Sequence, residues 1–225
     1  MMNKLNNLLF LIIPLIIMAC STDQIEINQD FDRGSIGSLK QIKPDYFKGS
    51  TRHWIKNDSI GDQYYWFYFK ADHVKGKTLT FELTDLIGVY RGGEHLVYTN
   101  YTQPVYSYDK KSWQRITDIA YDSTNKNFSF VESFDQEPVW IAYAHPYPFS
   151  RYKRLISRMK GKEHVSVENI AESPEGRDIQ LVTITNSDIP EEAKKSILFI
   201  ALQHAGEDAG GFYLEGMMNY LLSDE

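Results

Sequence analysis

Across the first two thirds of the chain, apolar and polar positions alternate with a period of two. Thr78-Leu79-Thr80-Phe81-Glu82-Leu83 is the clearest run, and such alternation predicts a strand with one face in a core and one face wet. Tyr64-Tyr65-Trp66-Phe67-Tyr68-Phe69 reads as an aromatic strand. Val105–Tyr108, Phe128–Val131 and Val139–Tyr143 read as further short strands, and Asp72–Lys77 and Gly92-Gly93 as breaks between them. Many short strands with no helical period between them predict a β-sandwich over residues 34–145.

The pattern changes at His145-Pro146-Tyr147-Pro148, where two prolines end a strand. Phe149–Lys160 follows with Tyr152, Leu155, Ile156 and Met159 at helical spacing, and Ser150 is the candidate N-cap. Val165–Val167, Ile179–Ile184 and Ile197–Leu202 read as strands. The last is continuously apolar, as expected of a strand covered on both faces. Phe212–Leu222 again reads as a helix. Strands alternating with helices predict an α/β domain over residues 146–225.

The N-terminus has its own pattern. Met1–Asn7 is polar with one cation, Lys4, and Leu8–Ala19 is an unbroken apolar run. The run is short of the about 20 residues a spanning helix needs and suits the h-region of a secretory signal over residues 1–19. Its end, Ile17-Met18-Ala19-Cys20-Ser21, resembles a bacterial lipobox. The resemblance implies cleavage before Cys20, lipidation of that residue and anchoring in the cell envelope. A plain signal peptide with a coincidental cysteine is the alternative. Residues 20–33 then read as a polar tether.

Composition narrows the classes. The chain of 225 residues is 14% aromatic, which favours pleated surfaces. Its 24 basic and 30 acidic residues leave a net charge of −6, against a protein built for nucleic-acid backbones. A single cysteine excludes an internal disulfide framework and a Cys-rich zinc module. There is no Gly-rich phosphate loop and no Gly-x-Ser-x-Gly elbow.

The candidate chemistry lies in Gln203-His204-Ala205-Gly206-Glu207-Asp208-Ala209-Gly210-Gly211, between a predicted strand and a predicted helix. Sites in open α/β sheets form at the carboxyl ends of strands. His204 and Glu207, with Gly206 allowing a sharp turn, can converge on one metal ion, and imidazole and carboxylate are both good zinc donors. Taken alone, the pair reads more readily as a surface histidine and an acid at a helix N-terminus. Asp208 is the N-cap of the next helix or an acceptor for His204, with direct ligation the alternative.

Ile197–Glu207 resembles the region of the M14 zinc carboxypeptidases in which a His-x-x-Glu motif follows a core strand, and Glu175-Gly176-Arg177-Asp178-Ile179 resembles that family's Glu-Gly-Arg turn. Trp66–Phe69, Pro104–Ser107, Trp113–Arg115 and Ala142–Ser150 resemble the N-terminal sandwich and junction of the cytosolic-carboxypeptidase branch. That branch usually has His-Pro-Gly-Glu, and Ala205 stands here in the proline position. The resemblance covers roughly residues 30–225. It implies a β-sandwich followed by the start of a mixed-sheet α/β zinc carboxypeptidase domain, with Zn²⁺ on His204 and Glu207. Arg177 would touch the substrate, and the substrate would be the C-terminus of a peptide or protein. The third ligand and the general-base glutamate are expected beyond Glu225, so the chain as it stands is expected to be inactive.

Other features carry two readings each. Arg177 is a substrate contact or a turn arginine. The cations Arg151, Lys153, Arg154, Arg158 and Lys160 form a solvated helix face or a membrane or nucleic-acid contact, the first being favoured. His53, His73, His95, His145 and His164 lack ligand context. The aromatic run Tyr64–Phe69 is sandwich core or a carbohydrate platform, and the latter would make the protein a non-catalytic surface lipoprotein that binds glycan or peptide.

Overall fold

A computed structural model describes residues 24–52, 64–90, 93–204 and 206–223. The signal segment, Cys20 and His53 lie outside them. Strands β1 (Glu26–Asn28), β2 (Ser38–Lys43), β3 (Tyr46–Ser50), β4 (Tyr68–Asp72), β5 (Lys77–Thr84), β6 (Gly88–Tyr90), β7 (Gly93–His95), β8 (Val105–Ser107), β9 (Gln114–Arg115), β10 (Asp118–Asp122), β11 (Asn127–Phe134) and β12 (Val139–Ala142) come first. Helix α1 (Phe149–Met159), β13 (Val165–Glu172), β14 (Asp178–Ile184), a 3-10 turn (Glu191–Ala193) and helix α2 (Asp208–Leu221) follow.

Two five-stranded sheets face each other, ordered β1-β4-β12-β8-β9 and β10-β11-β5-β3-β2. All pairs are antiparallel except β3 with β5. The alternation in β5 places Leu79, Phe81 and Leu83 inward, and β11 answers with Phe128 and Phe130. The aromatic run supplies the opposite wall. Phe67 stacks on Phe130 with ring centroids 5.9 Å apart, and Phe69 meets Phe81 at 5.5 Å. Each fully buried phenylalanine is worth about 1.5–3 kcal/mol in transfer from water. Phe67 and Phe69 are therefore core, and no carbohydrate platform is built from them. Only Tyr68 and Phe69 of the run carry strand pairing. Tyr64–Phe67 lie ahead of β4, held where the Tyr143 amide donates to the Phe67 carbonyl at 2.9 Å and the Tyr98 hydroxyl donates to the Tyr65 carbonyl at 2.7 Å.

Two expectations are corrected. The tether contains β1, which pairs with β4 from Glu26↔Asp72 to Asn28↔Lys70, so the sandwich begins earlier than residue 34. Polar side chains concealed this, because an edge strand is recognised by its backbone. The second correction is Ile197–Leu202, which forms no strand. Ile197, Leu198 and Ile200 are 76%, 71% and 64% exposed. An apolar run becomes a strand only against another strand's backbone, and β13 and β14 pair only with each other among the described residues.

Candidate functional site

His204 and Glu207 lie in the loop that enters α2, both exposed. The His204 amide donates to Glu207 Oε2 at 3.3 Å, and the Glu207 amide donates to the His204 carbonyl at 3.3 Å. The carboxylate thus folds back over the backbone of His204. This turn requires glycine at 206. Its φ is +83°, and a Cβ there would sit 2.5 Å from Cε2 of Tyr65. Imidazole nitrogen and carboxylate oxygen on one exposed loop suit zinc, but only as part of a set. No group of three or more His, Cys, Asp or Glu side chains that could hold a metal occurs among the described residues.

Asp208 occupies a different place from either expectation. It is the first residue of α2, 1% exposed, and points into the sandwich junction. The Tyr147 amide donates to its Oδ1 at 2.6 Å and the Arg33 guanidinium to its Oδ2 at 2.8 Å. Burial pushes its carboxyl above the ordinary range, while Arg33 and the Tyr147 amide pull the other way and offset only part of it. Arg33 escaped the sequence reading because it stands in the apparent tether. Its guanidinium lies 4.6 Å from the centroid of Trp66, and its carbonyl accepts from Trp66 Nε1 at 3.2 Å.

The neighbouring Asp32 caps α1. Its carboxylate accepts from the Phe149 amide at 3.3 Å and the Ser150 amide at 2.7 Å. Ser150 is inside the helix and Pro148 stands at the cap position without a side-chain bond. The cap is therefore supplied from a distant segment.

The basic cluster is not simply a solvated face. Arg151 Nε donates to Glu215 of α2 at 2.7 Å, and Arg158 donates to the same carboxylate at 2.9 Å. Burial pushes the Glu215 carboxyl up, but hydrogen bonds from Arg151, Tyr147 and Arg158 outweigh it and hold the group below its ordinary value. The Tyr147 phenol is pushed up to about 12, first by burial and then by Glu215. The His145 ring lies tilted against Phe212 and Trp113, with centroids 4.7 and 5.5 Å away. Burial, then Arg151, holds its imidazole below the ordinary range. It is a packing residue of the junction. Arg177 sits in the turn before β14, pairs with Glu175, and lies 5.8 Å from the ring centroid of Phe149. It lines a shallow groove with Tyr152, Lys153 and Asp178.

Known proteins resemble the chain over both of its parts. Residues 27–144 match the cytosolic carboxypeptidase N-terminal domain, and residues 153–225 match zinc carboxypeptidase. An uncharacterized protein of Zymomonas mobilis is 28% identical over 203 residues, covering 89% of this chain and 48% of that one. Mouse cytosolic carboxypeptidase 6 is 25% identical over 211 residues, covering 86% and 37%. A solved metallo-carboxypeptidase from Pseudomonas aeruginosa, in complex with (2-guanidinoethylmercapto)succinic acid, superposes with a TM-score of 0.68 at 28% identity, over 89% of this chain and 50% of that one. The chain thus spans about half the length, or less, of these relatives.

Proposed function

Because the chain belongs to the M14 zinc carboxypeptidases, with a cytosolic-carboxypeptidase N-terminal domain ahead of a zinc carboxypeptidase domain, we propose that it serves a metallocarboxypeptidase that removes C-terminal residues from peptides. The observation that carries this is the exposed His204–Glu207 loop, turned by Gly206 and lying within the segment matched to zinc carboxypeptidase. His204 would hold Zn²⁺ through an imidazole nitrogen and Glu207 through its carboxylate. When bound, zinc polarises a scissile carbonyl and lowers the pKa of a water molecule. Gly206, at φ +83°, turns the backbone sharply between the two donors. Arg177 would meet the peptide chain through its fork of donors, which suits carboxylate and carbonyl groups. Catalytic zinc sites use three protein ligands, so His204 and Glu207 alone should hold the ion weakly.

From the lipobox-like end of the N-terminal apolar run, Ile17-Met18-Ala19-Cys20-Ser21, we further propose that the protein is anchored at the bacterial cell envelope through lipid on Cys20. Labelling with a radioactive fatty acid should mark the wild type and not Cys20→Ser, and equal labelling of both would remove this part of the proposal.

Expressed from its full gene, the protein should release C-terminal residues from peptides. Release should stop on chelation and in His204→Ala. Activity that survives both would overturn the assignment.

A further inference from the structure

Glu207 stands between two residues that are each locked to the sandwich. On one side, Gly206 lies beneath the ring of Tyr65, close enough that a Cβ would overlap it. On the other, Asp208 is held by Arg33 at 2.8 Å and by the Tyr147 amide at 2.6 Å. We infer that the β-sandwich is a working part of the metal site, with Tyr65 and Arg33 acting as positioning residues that fix the Glu207 carboxylate. The inference rests on the reading of His204 and Glu207 as ligands.

Both anchors are themselves fixed from behind. Arg33 lies over Trp66 and accepts its indole N–H through the backbone carbonyl. Tyr65 packs against Tyr64 and Tyr143, at 6.3 and 5.9 Å between centroids, and its carbonyl is held by the Tyr98 hydroxyl. Within the loop the His204 amide donates to Glu207 Oε2 and the Glu207 amide to the His204 carbonyl, both at 3.3 Å. His204 and Glu207 are exposed, and Gly206 carries no side chain to pack. Fixing the backbone of one residue costs about 1–2 kcal/mol, a cost that otherwise falls on metal binding. Contacts to the sandwich meet it during folding, so the backbone that carries Glu207 is set on both sides before a metal binds. Groups that orient a ligand typically change metal affinity about 10–100-fold when removed.

The test is a zinc titration of the whole chain carrying labelled histidine, followed by NMR, with His204→Ala identifying the His204 imidazole signal. In the wild type that signal should shift on titration. Arg33→Met and Tyr65→Leu should weaken the apparent affinity about tenfold or more, and Arg33→Lys, which keeps the charge, should recover part of the loss. Asp208→Asn keeps the shape and the acceptor for Tyr147, and should also weaken binding if Arg33→Met does not fold. Hydrogen exchange at the Gly206 and Glu207 amides should rise in the same variants at temperatures well below their melting points. Folded variants that bind zinc as the wild type does would overturn the positioning role while leaving the ligands in place. A wild-type His204 signal unmoved by saturating zinc would overturn the ligand reading, and this inference with it.

Discussion

Arg33 and Asp208 are 175 positions apart in the chain and 2.8 Å apart in space. The pair joins the edge of the sandwich to the first turn of α2, one residue after Glu207. Asp208 serves a second donor, the Tyr147 amide, so one buried carboxylate ties together the sandwich, the proline junction and the helix.

Asp208→Ala should therefore be costly. It leaves the Tyr147 amide without its acceptor and the half-buried guanidinium of Arg33 without its counter-charge. A loss of about 1.5–3 kcal/mol is expected, the range for hydrogen bonds to charged groups. Urea unfolding followed by tryptophan fluorescence measures it, and a change below about 0.5 kcal/mol, the scale of an ordinary surface substitution, would show the pair to be incidental.

Gly206→Ala should destabilise for two separable reasons. A non-glycine residue in left-handed backbone costs roughly 1–2 kcal/mol, and the new methyl group would overlap Tyr65. In the Gly206→Ala/Tyr65→Ala double variant the overlap disappears and the backbone cost stays. The two changes should thus cost less together than the sum of their separate effects. Simple additivity would rule out the overlap.

Glu215 should make stability depend on acid. Its carboxyl is held below its ordinary value of 4.5, so it stabilises the fold above that value and the contribution fades as pH falls through the lowered one. Glu215→Gln should be less stable than the wild type at pH 7, with the gap closing toward pH 3. Asp208, held above its ordinary value of 3.8, contributes in the opposite direction in both proteins and cancels from the difference. A gap that stays constant with pH would contradict the assignment.

Asp32→Ala removes the cap of α1 and should cost about 1 kcal/mol. Ser150→Ala, by contrast, should cost little, because Ser150 lies within α1, past the cap position held by Pro148. Thermal melting of both variants distinguishes the cap supplied by Asp32 from the local one the sequence suggests.

Much of the fold was open to reading because its signals are local. The alternation in β5 and the inward phenylalanines of β11 declare a half-buried strand wherever they occur. The apolar spacing of Tyr152, Leu155, Ile156 and Met159 likewise declares a helix. Of the candidate site, the spacing of His204 and Glu207 and the need for glycine between them were legible for the same reason. Ile197–Leu202 shows the limit. Its composition describes a buried strand, but burial is supplied by neighbours, and the described residues supply none.

By itself, the sequence determined the strand-rich first domain and the change of architecture at the two prolines, and it singled out His204 and Glu207 as candidate donors. Each depends on residues within one short segment. Only the tertiary structure decided that Asp32 caps α1, that Arg33 meets Asp208, that Tyr65 covers Gly206, and that Glu215 binds two arginines of the basic cluster. These partners come together through packing of the sandwich against the two helices. A charged residue's sequence neighbours do not reveal which distant, desolvated counter-charge it will meet when the chain closes.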